Sequence, residues 1–247
     1  MTEIYRPTYV EKSALRMKPE QFKVSGDQAF FTLQGEGQSI GKPAVFLRLH
    51  FCNLHCEWCD TKYTWDRNSK EFWQEAEDWD FQRTLKEISD YPSKRLVITG
   101  GEPMLQQERI AKFAELIPNW EIEIETNGTI APRDSLVQRC QFNVSPKLGN
   151  SGNPLRTRYR PEVLKEFNVL PKTTFKFVVQ SENDFEEIDQ IVNECELDSN
   201  KIIIMPEGIT EEDIKYRALS VAEQVKQRGW RLLPRLQVTL WGARRMV

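Results

Sequence analysis

Three cysteines lie within one short stretch of the chain. Cys52, Cys56 and Cys59 have the spacing C-x3-C-x2-C. Thiolates are soft ligands that suit zinc and iron–sulfur clusters, and three of them on a four-iron cube would leave one iron free to bind another molecule. The chain has five cysteines. The crowding of three of them predicts metal binding in a reducing compartment rather than disulfides, whereas Cys140 and Cys195 are expected to pack in the core.

Structural zinc is the competing interpretation of this spacing. His50 or His55 could then supply the fourth ligand. A structural finger usually has two ligand pairs separated by a longer loop, and the sequence contains no second pair. The spacing alone therefore favours an iron–sulfur cluster but leaves zinc open.

A glycine-rich motif, Gly100-Gly101-Glu102-Pro103, follows the cysteines by one predicted βα unit. Two glycines let the backbone approach a ligand closely, and the exposed carbonyls could accept from the ammonium of S-adenosylmethionine (SAM). Alone, the motif would be an ordinary turn. After a strand and downstream of the cysteines, it predicts a radical SAM enzyme, in which the cluster reduces SAM to methionine and a 5′-deoxyadenosyl radical.

Short apolar runs alternate with helical patterns along most of the chain. The predicted strands are Ala44–Leu49, Leu96–Thr99, Glu121–Glu125, Phe142–Val144, Thr174–Val179, Lys201–Met205 and Leu236–Leu240. Two of the helices have predicted N-caps. Asn183 is expected to cap one, with Glu186 three residues on. Thr210 is expected to cap the other, with Asp213 three residues on, and that helix is expected to end at Gly229.

This alternation predicts a parallel sheet with crossover helices. About six or seven units are too few for a closed eight-stranded barrel. We therefore expect an α/β fold, an open partial (βα)6-type radical SAM barrel, as a single domain over residues 1–247. Residues 1–26 are expected to be an irregular N-terminal extension, and residues 66–80 an insertion after the cluster loop. Chemically unusual residues follow four of the strands, so they are expected to line one cavity at the carboxyl ends.

Composition limits the classes of partner. The 247 residues are 39% apolar and 29% charged, with a formal net charge of −3. There is no basic surplus for nucleic acid or an anionic membrane, and no apolar run reaches the roughly 18 residues of a membrane span. The N-terminal residues lack the apolar core of a signal peptide. We expect a cytoplasmic enzyme with a small-molecule substrate.

Several motifs together resemble the 7-carboxy-7-deazaguanine synthases, radical SAM lyases of queuosine and related 7-deazapurine biosynthesis. They are Thr32-Leu33-Gln34-Gly35-Glu36-Gly37, Phe46-Leu47-Arg48-Leu49, Cys59-Asp60-Thr61 and the strand-end motifs, and the resemblance extends from about Phe30 to the C-terminus. It implies ring contraction of 6-carboxy-5,6,7,8-tetrahydropterin to 7-carboxy-7-deazaguanine with release of ammonia. It also implies a [4Fe–4S] cluster, SAM, Mg2+, a homodimer, and an electron donor such as flavodoxin or ferredoxin.

The resemblance also assigns roles to individual residues. Substrate would contact Leu33, Gln34, Gly35, Glu36, Arg48, Thr99 and the terminal carboxylate of Val247. SAM would contact Trp58, Cys59, Asp60, Gly101, Glu102, Ser145, Pro146, Lys147, Met205, Pro206, Glu207 and Gly208, and Thr61 would bind Mg2+. One position departs from the family pattern, because Gln237 stands where members often have His.

Ordinary structural roles remain open for several of these residues. Glu36 and Lys147 could be solvated loop residues, Arg48 a surface ion pair, Trp58 a buried aromatic and Thr61 a turn cap. The alternative function is a radical SAM activating enzyme that acts on a partner protein, which needs the cysteine motif but not Gln-Gly-Glu-Gly. The non-enzyme alternative is a zinc-stabilised interaction module.

Overall fold

A mostly parallel sheet organises the chain in the computed structural model, which describes residues 4–8, 11–12 and 15–247. The strands of this described part are β1 (Gln21–Ser25), β2 (Phe30–Leu33), β3 (Pro43–Leu49), β4 (Ala76–Asp80), β5 (Arg95–Gly100), β6 (Glu121–Thr126), β7 (Cys140–Val144), β8 (Thr173–Val179), β9 (Ile202–Pro206) and β10 (Arg231–Leu232). The helices are α1 (Lys70–Gln74), α2 (Phe81–Ser89), α3 (Gln107–Leu116), α4 (Asp134–Val137), α5 (Leu155–Arg158), α6 (Pro161–Asn168), α7 (Asp184–Cys195), α8 (Glu211–Arg228) and α9 (Leu236–Trp241).

The strand order is β10-β9-β8-β7-β6-β5-β3-β1-β4, with β2 paired to β3. Strands β3 and β5 to β10 pair in parallel, whereas β1, β2 and β4 pair antiparallel. The hydrogen-bonded path through the described strands is therefore open, from β10 at one end to β4 at the other. This arrangement confirms the predicted open partial barrel.

Alternation along the strands separates an apolar face from a polar interior. In β6, Ile122 and Ile124 belong to the hydrophobic core, and Glu123 lies between them, fully buried. In β8, Phe175 and Phe177 belong to the same hydrophobic core, and Lys176 lies between them in the strand and is also buried. Successive side chains of a strand point to opposite faces, so the charged residues share the face away from the core.

Six of the seven predicted strands are confirmed, but Leu236–Leu240 is wrong. These residues lie in helix α9, of whose residues only Val238 is buried. The last strand is instead the short β10, and Pro234 separates it from the helix. Proline lacks an N–H for the ladder, so a strand cannot easily continue through it.

The segments expected to lie outside the sheet contribute strands to it. Strand β1 falls within residues 1–26 and β4 within residues 66–80, and they pair over five residues from Gln21↔Asp80 to Ser25↔Ala76. The prediction that residues 1–26 are irregular is therefore wrong for β1. Phe22 of β1 and Trp79 of β4 are fully buried, which explains why these segments join the core.

Helix capping was predicted correctly for α8 but not for α7. The Thr210 side chain accepts from the backbone N–H of Asp213, and Gly229 ends α8 with a left-handed φ of 68°. Asn183 makes no side-chain cap hydrogen bond. Asp184 accepts instead from the N–H groups of Gln180 and Ser181, at 2.7 and 3.2 Å, and so fixes the turn that leads into α7.

Cys140 and Cys195 are buried in the hydrophobic core, as predicted. No helix of the described residues is long and apolar enough to cross a membrane.

Candidate active site

A large cavity opens at the carboxyl ends of the parallel strands. Most of the predicted site residues line it together. They are Leu33, Gln34, Gly35, Glu36, Arg48, Cys52, Cys56, Trp58, Cys59, Asp60, Thr61, Thr99, Gly101, Ser145, Lys147, Glu207 and Val247. Residues that are far apart in sequence meet here because parallel strands end on the same side of the sheet.

Some residues predicted to contact SAM are not part of the described cavity wall. These residues, all of them buried, are Glu102, Pro146, Met205, Pro206 and Gly208. Glu102 accepts from the N–H of Met104 at 2.9 Å, the hydroxyl of Thr126 at 2.8 Å and the N–H of Asn127 at 2.7 Å. Burial raises the pKa of Glu102, and this effect outweighs the three hydrogen bonds, which lower the pKa. Glu102 therefore holds the end of β6 beside the cavity.

The loop bearing the three cysteines, the cluster loop (residues 50–61), leaves β3 directly. Phe51 has a left-handed φ of 80°, and its N–H donates to Thr64 at 3.0 Å, which turns the chain toward the cavity. Cys56 is buried and Cys52 is partly buried. Burial raises the pKa of the Cys52 thiol to about 12. A bound metal cation would offset this burial and hold the sulfur as a thiolate.

The glycine motif packs against the cluster loop. The N–H of Gly101 donates to Leu49 at 3.1 Å, and that of Glu102 donates to Phe51 at 2.7 Å. A Cβ atom on Gly101 would lie 2.1 Å from the carbonyl oxygen of Phe51. The sequence predicted that these glycines let the backbone approach a ligand. In the structure Gly101 makes room for the cluster loop and Gly100 makes room for Leu49 at the end of β3, although both glycines also line the cavity.

Glu36, on the loop after β2, lies among donors. Lys176 donates to its Oε2 at 2.5 Å, while Gln237 and Arg235 donate to Oε1 at 2.7 and 3.1 Å. Burial opposes ionisation of Glu36, but the attraction of Lys176 and Arg235 outweighs it and lowers the pKa well below its usual range. Glu36 is thus a partly buried, paired carboxylate rather than a solvated loop acid.

Lys176 connects Glu36 to a second carboxylate, because its Nζ also lies 3.0 Å from Oε2 of Glu125. The opposite oxygen of Glu125 accepts from Gln34 at 3.0 Å and from Asn143 at 2.8 Å. Burial would lower the pKa of Lys176, but the two carboxylates raise it. A continuous polar network therefore joins the Gln34–Glu36 loop to β6, β7 and β8.

Arg235 extends this network to the cluster loop. Its guanidinium donates to Asp60 at 2.5 Å and to the carbonyl of Gly208 at 2.9 Å, as well as to Glu36. Asp60 follows the ligand Cys59 directly. One cation thus joins the Gln34–Glu36 loop, the cluster loop and the end of β9.

Two further cations face the cavity. Arg48 is half-buried on β3, with its guanidinium 5.9 Å from the centre of the Phe30 ring. Lys147 donates to the carbonyl and hydroxyl oxygens of Ser145 at 2.8 and 2.7 Å, and its Nζ lies 5.7 Å from the centre of the Trp58 ring. Burial lowers the pKa of Lys147.

Glu125 belongs to a strand-end motif that was expected to line the cavity, but the sequence pattern did not indicate that Lys176 and Arg235 line it as well. A signal for Lys176 was present, because it is the single charge in the otherwise uncharged run Thr-Thr-Phe-Lys-Phe-Val-Val of β8. A lone charge in a buried strand requires a partner. The sequence does not identify that partner, since Glu36 is 140 positions away.

The donor set of the three cysteines suits a [4Fe–4S] cluster. Their thiols line one cavity, and each sulfur lies within hydrogen-bonding distance of a polar group. Among the described residues, no three His, Cys, Asp or Glu side chains converge on one metal ion. Ligands of a cube bind separate irons, so they need not converge.

The fold and this cysteine site define an iron–sulfur enzyme of the radical SAM class. Residues 33–160 match the family model described as a 4Fe-4S single cluster domain.

The chain belongs to the 7-carboxy-7-deazaguanine synthase family. It is 33% identical to the 7-carboxy-7-deazaguanine synthase of Pyrobaculum aerophilum over 87% of this chain and 93% of the relative. It is 30% identical to that of Halobacterium salinarum, over 87% and 89%. The crystal structure of QueE from Escherichia coli superposes with a TM-score of 0.67 at 28% identity, covering 87% of this chain and 94% of that one.

Replacing Lys176 by methionine should lower the free energy of unfolding by about 3–5 kcal/mol, because two partly buried carboxylates would lose the buried cation that they share. The pKa of Glu36 is lowered by folding, so its contribution to stability is present above the usual glutamate pKa, about 4.3, and is lost as the pH falls. The loss in Lys176→Met should therefore be greatest near neutral pH and narrow below about pH 4.3.

Urea unfolding at several pH values measures this difference. Lys226→Met is the matched control, since Lys226 pairs with Glu223 on the surface and their side chains are 70% and 71% exposed. It should leave the unfolding midpoint unchanged. Equal stability of Lys176→Met and the unsubstituted protein would contradict a stabilising role of the network.

Proposed function

We propose that this chain catalyses the radical SAM ring contraction of 6-carboxy-5,6,7,8-tetrahydropterin to 7-carboxy-7-deazaguanine, with release of ammonia. The observation that supports it most directly is that the three cluster cysteines and Glu36 line one cavity. A reductive cleavage site and a carboxylate suited to a ring with several N–H donors therefore share one volume. The relatives named 7-carboxy-7-deazaguanine synthase support the same chemistry.

The cysteines would hold the cluster, and the residues around Lys147 would hold SAM. When both are bound, they supply the radical that takes a hydrogen atom from C6 of the substrate. Gly101, Ser145 and Lys147 line the cavity, and Nζ of Lys147 lies 5.7 Å from the centre of the Trp58 ring, so a methionine carboxylate and an adenine would find a donor and an aromatic face there. The other residues predicted to contact SAM, including Glu207, remain part of this proposal.

Glu36 would bind the donor edge of the pterin, and its present contacts constrain how. A carboxylate has about four acceptor sites, two on each oxygen. Oε1 already accepts from Arg235 and Gln237, and Oε2 accepts from Lys176. Only one site, on Oε2, is left for a new donor. Pairing with two adjacent N–H groups therefore requires one resident donor to move, and neutral Gln237 costs least to displace.

Positive charge on the β3 side of the cavity would receive the substrate carboxylate. Arg48 is half-buried, and none of the salt bridges of the described residues includes it. Its guanidinium can therefore form a bidentate pair with a carboxylate. Leu33, Gln34, Gly35 and Thr99, together with the terminal carboxylate of Val247, would complete the substrate contacts.

Thr61 would bind Mg2+ together with oxygen atoms of the substrate. Its side chain makes no cap hydrogen bond at the start of the turn that follows it, and its hydroxyl lies 3.5 Å from Sγ of Cys59. A hydroxyl that donates to this sulfur keeps its lone pairs for a metal ion. Mg2+ takes few protein ligands and fills its remaining positions from substrate and water.

A homodimer, a cytoplasmic location and a flavodoxin or ferredoxin as electron donor complete the proposal, and these three rest on the family resemblance.

The decisive experiment is anaerobic reconstitution followed by turnover. The protein should bind about four irons per chain. With SAM, a reductant and 6-carboxy-5,6,7,8-tetrahydropterin, mass spectrometry should detect 7-carboxy-7-deazaguanine and 5′-deoxyadenosine. Cys56→Ala should lose cluster and product, whereas Cys140→Ala, which alters a core cysteine, should keep both. Binding of one zinc, or deoxyadenosine formed only with a partner protein, would sink the proposal.

Replacing Glu36 by glutamine should weaken apparent pterin affinity about ten- to a hundredfold, because a charged hydrogen bond contributes roughly 1.5–3 kcal/mol. In this variant Lys176 still forms its ion pair with Glu125, and Arg235 still forms its ion pair with Asp60, so the protein should still fold. Steady-state kinetics give the pterin affinity, and equilibrium dialysis should give unchanged SAM binding. Glu223→Gln, on the surface of α8, is the control. An unaltered KM for the pterin would leave Glu36 with a structural role only.

Removal of divalent cations should abolish most of the activity, and added Mg2+ should restore it. Thr61→Val should blunt the response to Mg2+ while the visible spectrum of the cluster stays intact, because valine matches threonine in shape but has no oxygen ligand. Thr61→Ser keeps the hydroxyl and should respond to Mg2+ as the unsubstituted protein does. Full activity after thorough chelation would exclude a magnesium role.

A further inference from the structure

The three cluster cysteines differ in where their hydrogen-bond partners come from. Sγ of Cys52 accepts from the N–H of Leu54, and Sγ of Cys59 lies beside the hydroxyl of Thr61, both at 3.5 Å and both within the cluster loop. Sγ of Cys56 accepts from Nδ2 of Asn153 at 3.3 Å, across 97 positions of sequence. Among the partners described, this one comes from a different segment of the barrel.

The orientation of the Asn153 amide is fixed by its other end. Its Oδ1 accepts from the backbone N–H of His55 at 2.8 Å. A backbone N–H can only donate, so the oxygen must face His55 and the NH2 group must face Cys56. The same side chain thus binds the cluster loop through the backbone and through the sulfur of a ligand.

The segment that presents Asn153 is itself held in place. Glu57 N–H donates to the carbonyl of Ser151 at 3.0 Å, and the Asn153 carbonyl accepts from Arg158 at 3.1 Å. Gly152, between Ser151 and Asn153, has a φ of 74°, and a Cβ atom there would lie 2.5 Å from the Glu57 carboxylate. The cluster loop and residues 151–153 are therefore in direct contact, which leaves little freedom to the amide.

We propose that Asn153 is a positioning residue for the [4Fe–4S] cluster, and that its N–H···S hydrogen bond to Cys56 raises the reduction potential of that cluster. A hydrogen bond withdraws charge from a ligating sulfur and stabilises the reduced state, which has one more negative charge. Reduction adds one electron from a low-potential donor, and no bond of the protein is made or broken. The proposal concerns the cluster alone and does not depend on which substrate is bound.

An EPR-monitored redox titration of the reconstituted protein, without substrate, tests this proposal. Asn153→Leu removes the donor at similar volume. The bond exists in both oxidation states and only its strengthening on reduction affects the potential, so we expect the equilibrium constant for reduction to fall by up to about tenfold, which is about 59 mV for one electron. An unchanged potential with an intact cluster would overturn the proposal.

Asn168→Leu is the matched control. Asn168 also bridges two segments through its amide, donating to the carbonyl of Glu196 at 2.8 Å and accepting from the N–H of Asp198 at 3.0 Å, but it does not line the described cavity. This variant should leave the potential unchanged. A potential lowered equally in both variants would indicate general loosening of the fold and would also overturn the proposal.

A second variant keeps the proposal testable if Asn153→Leu fails to hold a cluster. Asn153→Asp retains an acceptor for the His55 N–H and loses the amide nitrogen, which donates to Cys56 at 3.3 Å and lies 3.2 and 3.4 Å from the hydroxyl and carbonyl oxygens of Ser151. In protein labelled with 15N-asparagine, pulsed EPR of the reduced cluster should detect a weakly coupled side-chain nitrogen that Asn153→Asp lacks. The same coupling in both proteins would show that Asn153 does not bond to the cluster sulfur.

Discussion

The need to neutralise buried charge at the carboxyl ends of the strands determines how this site is built. Lys176 lies between Glu36 and Glu125, and Arg235 lies between Glu36 and Asp60. An unpaired charge at such depth would cost several kcal/mol, so each segment is held in the position that keeps its charge paired. The Gln34–Glu36 loop, the barrel interior, the cluster loop and the C-terminal segment thereby share one ionic network.

This network also explains the neutral residue at position 237. Two cations already balance the charge of Glu36, and Gln237 adds a neutral donor. A protonated histidine there would add a third positive charge to the same carboxylate. Gln237 packs so closely on the loop that a Cβ atom on Gly35 would lie 1.8 Å from its Oε1. Gly35 therefore needs to be glycine for this contact, independently of any substrate.

Prediction from sequence succeeded where a signal was local. The parallel strands were identified because their apolar runs are short and separated by helical patterns, and the cap of α8 was identified because Thr210 and Asp213 are three positions apart. It failed for Leu236–Leu240, where five residues rich in β-formers lie in a helix after Pro234. It also missed β1, whose alternation is short and whose partner β4 lies more than fifty positions away.

The sequence by itself determined the chemistry of the ligands, since the spacing of Cys52, Cys56 and Cys59 within one loop limits what that loop can bind. Only the tertiary structure decided which distant groups act on them. Glu36 meets Lys176 across 140 positions and Arg235 across 199, and Cys56 meets Asn153 across 97. Such pairings depend on the register of the strands and on how the loops pack at their carboxyl ends. A short-range pattern contains no information about either.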